Sequence, residues 1–361
     1  MSLKIRGAKQ CRYDVLALGE CMVRLSPPGH GRIEFARTLE VDVGGGEFNV
    51  AYACARLGLR GGFISKLPDN YVAHIVLNHG RAVGLDMSHV VMEKYDGVGR
   101  NSRVGLNFTE VGTGPRASVT MYDRGHSAAS QMKPADADFN AIFGKEGARW
   151  FHTGGIMTSL SDDAAATVKA ALEAANKAGT ITSYDLNFRS KLWSSEKAIA
   201  TTKGLMQHVK VLIGNEEDFT KALGFKVEGV DERMQKLSVE NYKAMVERVV
   251  KTYPNIQAVC TTLRTVKSGL VNDWSGILWC DGRFYESRKF ENLEIEDRVG
   301  GGDGFSSGVA YGFLTGMVPQ DIVNFALAHG AMMHTTRGDT SQVTLDEVMD
   351  VAKGGTARIK R

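Results

Sequence analysis

No run of 18 apolar residues occurs in the 361 positions of this chain, so no membrane-spanning helix is expected. Met1–Gln10 is basic but is not followed by the apolar region of a secretory signal, which places the expected location in the cytoplasm. Cysteine is sparse. The five residues (Cys11, Cys21, Cys54, Cys260, Cys280) are scattered and form no CxxC pair, which excludes a zinc knuckle or disulfide framework and fits a reducing compartment. The nine histidines show no HExxH or other ligand spacing, and His126, His329 and His334 read as structural. Net charge is only +3, partly from basic tails at 1–12 (Lys4, Arg6, Lys9, Arg12) and 354–361 (Arg358, Lys360, Arg361, next to Lys353). Both ends are expected to be solvated; with no domain-wide basic face, neither nucleic acid nor membrane is an expected partner. No GxxxxGK[ST] loop and no intact GxGxxG exist, which disfavours a Walker-type NTPase and a nicotinamide-dependent enzyme.

The chain does have ordinary globular composition, 43% apolar and 24% charged, and enough length for one large α/β domain. Short apolar runs at 15–20, 63–65, 149–152, 181–186, 209–214 and 256–262 read as strands. Between them lie helix signals over 48–57 and 73–83, each ended by glycine, and over 162–178 behind the N-cap Ser161, with two more near 319–334 and 344–353. Strands alternating with helices predict a mostly parallel sheet covered on both faces, with ligands at the carboxyl ends of the strands. In 22–43 and 97–124 the helical period disappears, and a small sheet or lid is expected there.

Four polar clusters follow predicted strands or open helices. In Asp297-Arg298-Val299-Gly300-Gly301-Gly302-Asp303, three glycines lead into a helix with Phe305, Val309 and Phe313 on one face. Such a loop lets backbone N–H groups converge on an anion, and Asp303 is either a plain N-cap or a base beside that anion. Gly44-Gly45-Gly46-Glu47-Phe48-Asn49 is a turn before a helix, with an amide able to both donate and accept. In Asp185-Leu186-Asn187-Phe188-Arg189 the polar residues alternate and would share a face if extended. Asn215-Glu216-Glu217-Asp218 is a helix cap or a carboxylate pair.

Together these strings, with Gly19-Glu20-Cys21-Met22-Val23-Arg24-Leu25-Ser26-Pro27 and Lys66-Leu67-Pro68-Asp69-Asn70, resemble the ribokinase-like (PfkB) sugar kinases over roughly 14–350. They are closest to the branch acting on 2-keto-3-deoxygluconate. The resemblance implies a ribokinase-like α/β domain over 13–353 with a small β lid from parts of 22–43 and 97–124, pairing into a homodimer. It implies ATP and Mg²⁺ as cofactors and leaves a monovalent cation open, because Arg298 stands where many sugar kinases have Thr. By the same resemblance Asp303 is the base, helped by Gly300, Gly301 and Gly302. Gly44, Gly45, Asn49, Asn107, Thr109, Arg189 and Asp339 meet the sugar. Asn215, Thr262, Arg264, Lys267, Ser268, Gly269, Gly300 and Gly302 meet the nucleotide, and Glu217 and Asp218 meet Mg²⁺ through water. Arg189 would take the substrate carboxylate. Asn107 and Thr109 replace the Tyr and Arg of the branch, a loss that Arg103, Arg116 or Arg124 would have to cover. Asp303, at a helix N-terminus, is expected to stay ionised. The alternatives are a kinase of a neutral sugar such as fructose or ribose, and a silent sugar- or nucleotide-binding regulator.

Overall fold

The computed structural model describes residues 3–226 and 239–355. Its strands are β1 Tyr13–Leu18, β2 Met22–Ser26, β3 Glu40–Gly44, β4 Gly61–Pro68, β5 Asp86–Glu93, β6 Gly105–Glu110, β7 Val119–Asp123, β8 Ala148–Gly154, β9 Ile181–Asp185, β10 Val211–Gly214, β11 Ala258–Val266, β12 Val271–Cys280, β13 Arg283–Glu286 and β14 Phe290–Glu294. The helices are α1 Gly46–Arg56, α2 Tyr71–Ala82, α3 Gly155–Ser159, α4 Asp162–Lys177, α5 Ser195–Leu205, α6 Glu216–Leu223, α7 Val239–Thr252, α8 Gly301–Thr315, α9 Pro319–Met333 and α10 Leu345–Ala352.

Ten strands form the main sheet in the order β13-β12-β11-β10-β9-β8-β1-β4-β5, with β14 beside β12. From β11 to β5 every pair is parallel, and the antiparallel pairs gather at the β12 end. The chain runs from β1 outward through β4 to β5, then crosses back to β8 and proceeds the other way. The gap between β1 and β8 is therefore a topological switch point, where the loops diverge and leave a crevice. Apolar runs such as Val15-Leu16-Ala17-Leu18 are completely buried because helices cover both faces. One face packs on α4, α7 and their neighbours, the other on α8 and α9, where Phe313 stacks on Trp150 at 6.0 Å.

β3-β2-β6-β7 form a separate four-stranded sheet, built from the two segments expected to project. Its alternation is inverted. On β6 the polar Asn107 and Thr109 are buried while Leu106 and Phe108 are only half-buried. The polar face carries Arg24, Asn107, Thr109 and Thr120 and is turned toward the main body. The opposite face carries an in-register apolar row, Val41–Leu25–Phe108–Met121.

The amino-terminal segment departs from the expected solvated tail. Leu3 and Ile5 pack on the main core, Arg6 donates to the Phe143 carbonyl at 3.1 Å, and Arg12 bridges Asp86 and Glu146. Of the expected basic tail at the other end, 356–361 lies outside the described residues. Among the described residues no helix is long and apolar enough to cross a membrane.

Candidate active site

The crevice at the switch point gathers the loop after β1, the first turn of α1, the ends of β8 and β9, and the start of α8. Gly300 caps α8 with φ of 84°, a left-handed value that glycine adopts freely. A side chain at Gly300 would lie 2.5 Å from the Asp339 carbonyl, and one at Gly301 would lie 2.2 Å from His334. Above Gly302 the space is open. The first-turn N–H groups have no partners within the helix, and the helix dipole adds partial positive charge there.

Asp303 is therefore not an N-cap, as one reading of the sequence had it, but the third residue of α8. Its Oδ2 accepts from Asn49 Nδ2 at 2.7 Å, while Asn49 Oδ1 accepts from the Gly45 N–H at 3.2 Å. Asn49 thus orients Asp303 with both ends of its amide, more than it offers itself to a ligand. Burial, with Glu47 and Asp339 nearby, outweighs Asn49, Arg189 and the helix terminus and pushes the Asp303 carboxyl up to about 7. The expectation of a fully ionised, weak base is corrected accordingly. Burial likewise raises Asp185 and Glu47 to about 7. Glu47, 2% exposed, accepts from the Met157 N–H at 3.2 Å through Oε1, and its Oε2 has no hydrogen-bond partner among the described residues.

A side chain on Gly46 would point between Asn187 Nδ2 at 3.5 Å and Asp303 Oδ1 at 3.7 Å, so the floor between them is bare backbone. Gly44 and Gly45 are closely packed: a side chain on either would collide at 2.0 Å, with Asp339 Oδ2 and the Glu20 carbonyl respectively. The alternation expected for Asp185, Asn187 and Arg189 is broken. Asp185 Oδ1 accepts from the Asn187 N–H at 3.2 Å in a turn, and Asn187 takes φ of 32°. Arg189 is exposed, and its guanidinium has no hydrogen-bond or ion-pair partner among the described residues, yet its charge lowers both Asp303 and Asp185.

The small sheet closes one side. Asn107 and Thr109 bond to each other at 3.2 Å, and Thr109 to Thr120 at 3.0 Å, on the face turned inward. Arg103, Arg116 and Arg124 are each engaged, with Asp123, with Glu110 and the His30 carbonyl, and with Glu20 respectively. None of them presents a free fork. Asp339 is buried, with Oδ1 held by Arg24 at 2.5 Å; Arg24 also reaches Asp297 at 2.6 Å. The sequence strings contained Glu20, Arg24 and Glu47 without a role, and Arg124 was offered for the substrate carboxylate, whereas the structure pairs it with Glu20. Nothing local marks Arg24 on β2 or Glu47 on α1 as buried; only the third dimension buries them.

The residues assigned to nucleotide and metal spread along the β10–β11 side. Asn215 accepts from the Glu217 and Asp218 N–H groups, and Asp218 Oδ2 accepts from the Asn215 N–H at 2.9 Å, a closed capping box. Asp218 Oδ1 also takes the Phe188 N–H at 2.8 Å, and Glu217 is exposed. Asp218 is thus committed, and among the described residues no cluster of three metal-binding side chains occurs. This donor set does not build a Mg²⁺ site by itself. Thr262 and Arg264 lie on β11, and Lys267, Ser268 and Gly269 form a hairpin turn rather than a glycine-rich loop. Lys267 pairs with Asp273 at 2.7 Å. Arg298 pins that turn, donating to the carbonyls of Gly269 at 2.6 Å and Ser268 at 2.7 Å. His334 Nδ1 donates to the Asp297 carbonyl at 2.9 Å, and His329 lies between Ser307 and Ser341, both structural positions. Two cavities of about 340 and 290 Å³ lie beside residues 134–146 and include none of these groups.

The pfkB family carbohydrate kinase model matches residues 13–345. A Haloferax volcanii 2-dehydro-3-deoxygalactonokinase is 33% identical, over 96% of this chain and 99% of its own. A Clostridium perfringens 5-dehydro-2-deoxygluconokinase is 26% identical, over 89% and 87%. The crystal structure of a Thermotoga maritima 2-dehydro-3-deoxygluconokinase superposes with a TM-score of 0.87 at 38% identity, covering 94% of this chain and 99% of that one. An Escherichia coli structure described as a ribokinase II, solved with ATP and Mg²⁺, shares the fold at a TM-score of 0.73 and 17% identity over 95% of this chain and 99% of its own. With a crevice at the switch point, a glycine loop opening α8 and a carboxylate beside it, this chain belongs to the pfkB family of carbohydrate kinases.

Proposed function

We propose that the protein transfers the γ-phosphoryl group of ATP to the O6 hydroxyl of 2-keto-3-deoxygluconate. The observation that carries the reading is Asp303, fixed by Asn49 at the mouth of the glycine loop with an uncommitted oxygen over Gly46. Asp303 Oδ1 accepts the hydroxyl proton as O6 bonds to the γ-phosphorus; the bond from that phosphorus to the β,γ-bridging oxygen breaks and ADP leaves. The N–H groups at the start of α8 hold the charge that develops on the transferring group. Mg²⁺ bound with the nucleotide would supply neutralisation of phosphate charge; with Asp218 held by the Asn215 and Phe188 N–H groups, Glu217 and Asp218 would approach it only through water. Arg189, a fork with no partner among the described residues, takes the sugar-acid carboxylate in two parallel bonds.

The small sheet acts as the lid and the chain pairs through it. Its outer face leaves Val41 54%, Met121 53% and Val119 54% exposed, with Phe35 80% exposed nearby, an apolar patch suited to a second copy. Five cysteines without a disulfide fit the cytoplasm. A second reading rests on Asn107 and Thr109, whose uncharged side chains would suit a neutral sugar. The test is ADP release with MgATP across 2-keto-3-deoxygluconate, its galacto epimer, gluconate, fructose and ribose. Preference for a keto-deoxy acid supports the proposal, and the two epimers decide its stereochemistry. Preference for fructose or ribose replaces the substrate class, and no turnover with any acceptor favours a silent regulator.

A further inference from the structure

Arg24 is 1% exposed, and its guanidinium joins three parts of the molecule that are remote in sequence. Nε donates to Ser26 Oγ on its own strand at 2.9 Å, Nη1 to Asp339 Oδ1 and Nη2 to Asp297 Oδ2. Both carboxylates hold the site. Asp297 Oδ1 accepts from the Val299 N–H at 3.2 Å, inside the glycine loop, and its Oδ2 also accepts from the Gly338 N–H at 3.4 Å. Asp339 lies against Gly44 on one side, and its carbonyl lies against Gly300 on the other. A single planar fork therefore meets the start of the anion loop, the segment at 338–339 and strand β2 of the small sheet.

We infer that Arg24 is a positioning residue for phosphoryl transfer, the link by which seating of the small sheet sets the glycine loop and Asp339 in one arrangement. The inference rests on the kinase reading above. Buried ion clusters seldom add net stability over apolar packing, so stability alone is a poor reason for a charge here. What only the guanidinium supplies is geometry: two donors aimed at two carboxylates at once, which an ammonium cannot match. Arg24 touches no reacting atom; it acts through Asp297 and Asp339, the second of which was expected to meet the sugar.

The test compares wild type with Arg24→Lys and Arg24→Met, using whichever acceptor wild type phosphorylates. Displacing the loop by about 1 Å is worth roughly 10²-fold in rate, so Arg24→Met should lose about that much kcat while the KM for MgATP stays within about threefold. Arg24→Lys, which keeps one ion pair, should fall between the two. Hydrogen–deuterium exchange supplies a readout independent of acceptor: peptides over 296–304, 338–342 and 22–26 should lose protection together, with α4 unchanged. If Arg24→Met does not fold, Arg24→Lys carries both measurements. Wild-type kcat in the folded variants, or unchanged exchange over 296–304, overturns the inference. If wild type phosphorylates none of the acceptors, the functional reading fails by itself and exchange still decides whether Arg24 holds the loop.

Discussion

Turnover should depend on pH through Asp303. Burial raises this carboxyl to about 7, with Glu47 and Asp339 adding to the rise, while the Asn49 hydrogen bond and the Arg189 charge oppose it. A base must be ionised to accept the hydroxyl proton, so the rate follows the ionised fraction, about one half at pH 7 and about one tenth at pH 6. From pH 7 to pH 6, kcat should therefore fall about fivefold, and by about tenfold for each further unit below that. Glu47 and Asp185 titrate in the same range, so the observed midpoint belongs to the coupled set. The assay is initial-rate ADP release at saturating substrates from pH 5.5 to 8.5. Asp303→Asn keeps the hydrogen-bonding shape beside Asn49, should fold normally, and should lower kcat by about 10²-fold or more. A wild-type profile flat down to pH 5.5, or an Asp303→Asn enzyme within threefold of wild type, refutes the reasoning.

Arg189→Ala should raise KM for the sugar acid by about 10- to 100-fold, the worth of one charge-assisted fork, and leave KM for MgATP within about threefold. Equal losses for both substrates would remove Arg189 from the carboxylate. Met121→Lys combined with Val41→Lys places charge on the outer apolar row, and sedimentation should show monomers where wild type sediments as dimers. Glu47→Gln should stabilise the protein selectively at alkaline pH. Burial raises Glu47 from the ordinary 4.5 to about 7, so the folded state keeps a proton that the unfolded state has lost. That contribution is complete below about pH 4.5 and disappears as pH rises through 7, a loss of up to about 3 kcal/mol that the amide avoids. Urea midpoints at pH 5 and 8.5 check it, and an equal shift at both would count against it.

Much of this architecture is legible from local chemistry. Ser161 accepts from the Ala164 N–H at 3.0 Å and opens α4 where its position before two acidic residues predicted. Gly58 and Gly84 follow the helices they were expected to end, both at positive φ. Asn215 caps α6, its competing role in the sequence reading. What escapes is whatever depends on distance along the chain. The partners of Arg24 lie 273 and 315 residues away, and no spacing rule pairs them. The neutral-range carboxyls escape for a related reason. Helix-terminus logic favours an ionised Asp303, and only burial in the crevice, with Glu47 and Asp339 nearby, reverses the balance.

The inverted alternation of the small sheet ties its two proposed roles to a single property. A strand with polar residues buried and apolar residues half-exposed is unfavourable for an isolated sheet, whose better face would turn inward. Along β6 the pattern is consistent only if Asn107 and Thr109 cover polar chemistry and Leu106 and Phe108 are covered by something apolar. Val23 and Val43 already meet that need at one end, buried in the core around α1 and α2 with Leu25 and Leu106 packed against it, while Val41 and Met121 leave it unmet at the other. Because successive side chains point to opposite faces, a substitution on β6 addresses one role at a time: an odd-numbered residue acts on the crevice, and an even-numbered one on the outer surface. The two proposed roles, self-association and closure over the site, thus draw on the same strands, one residue out of phase.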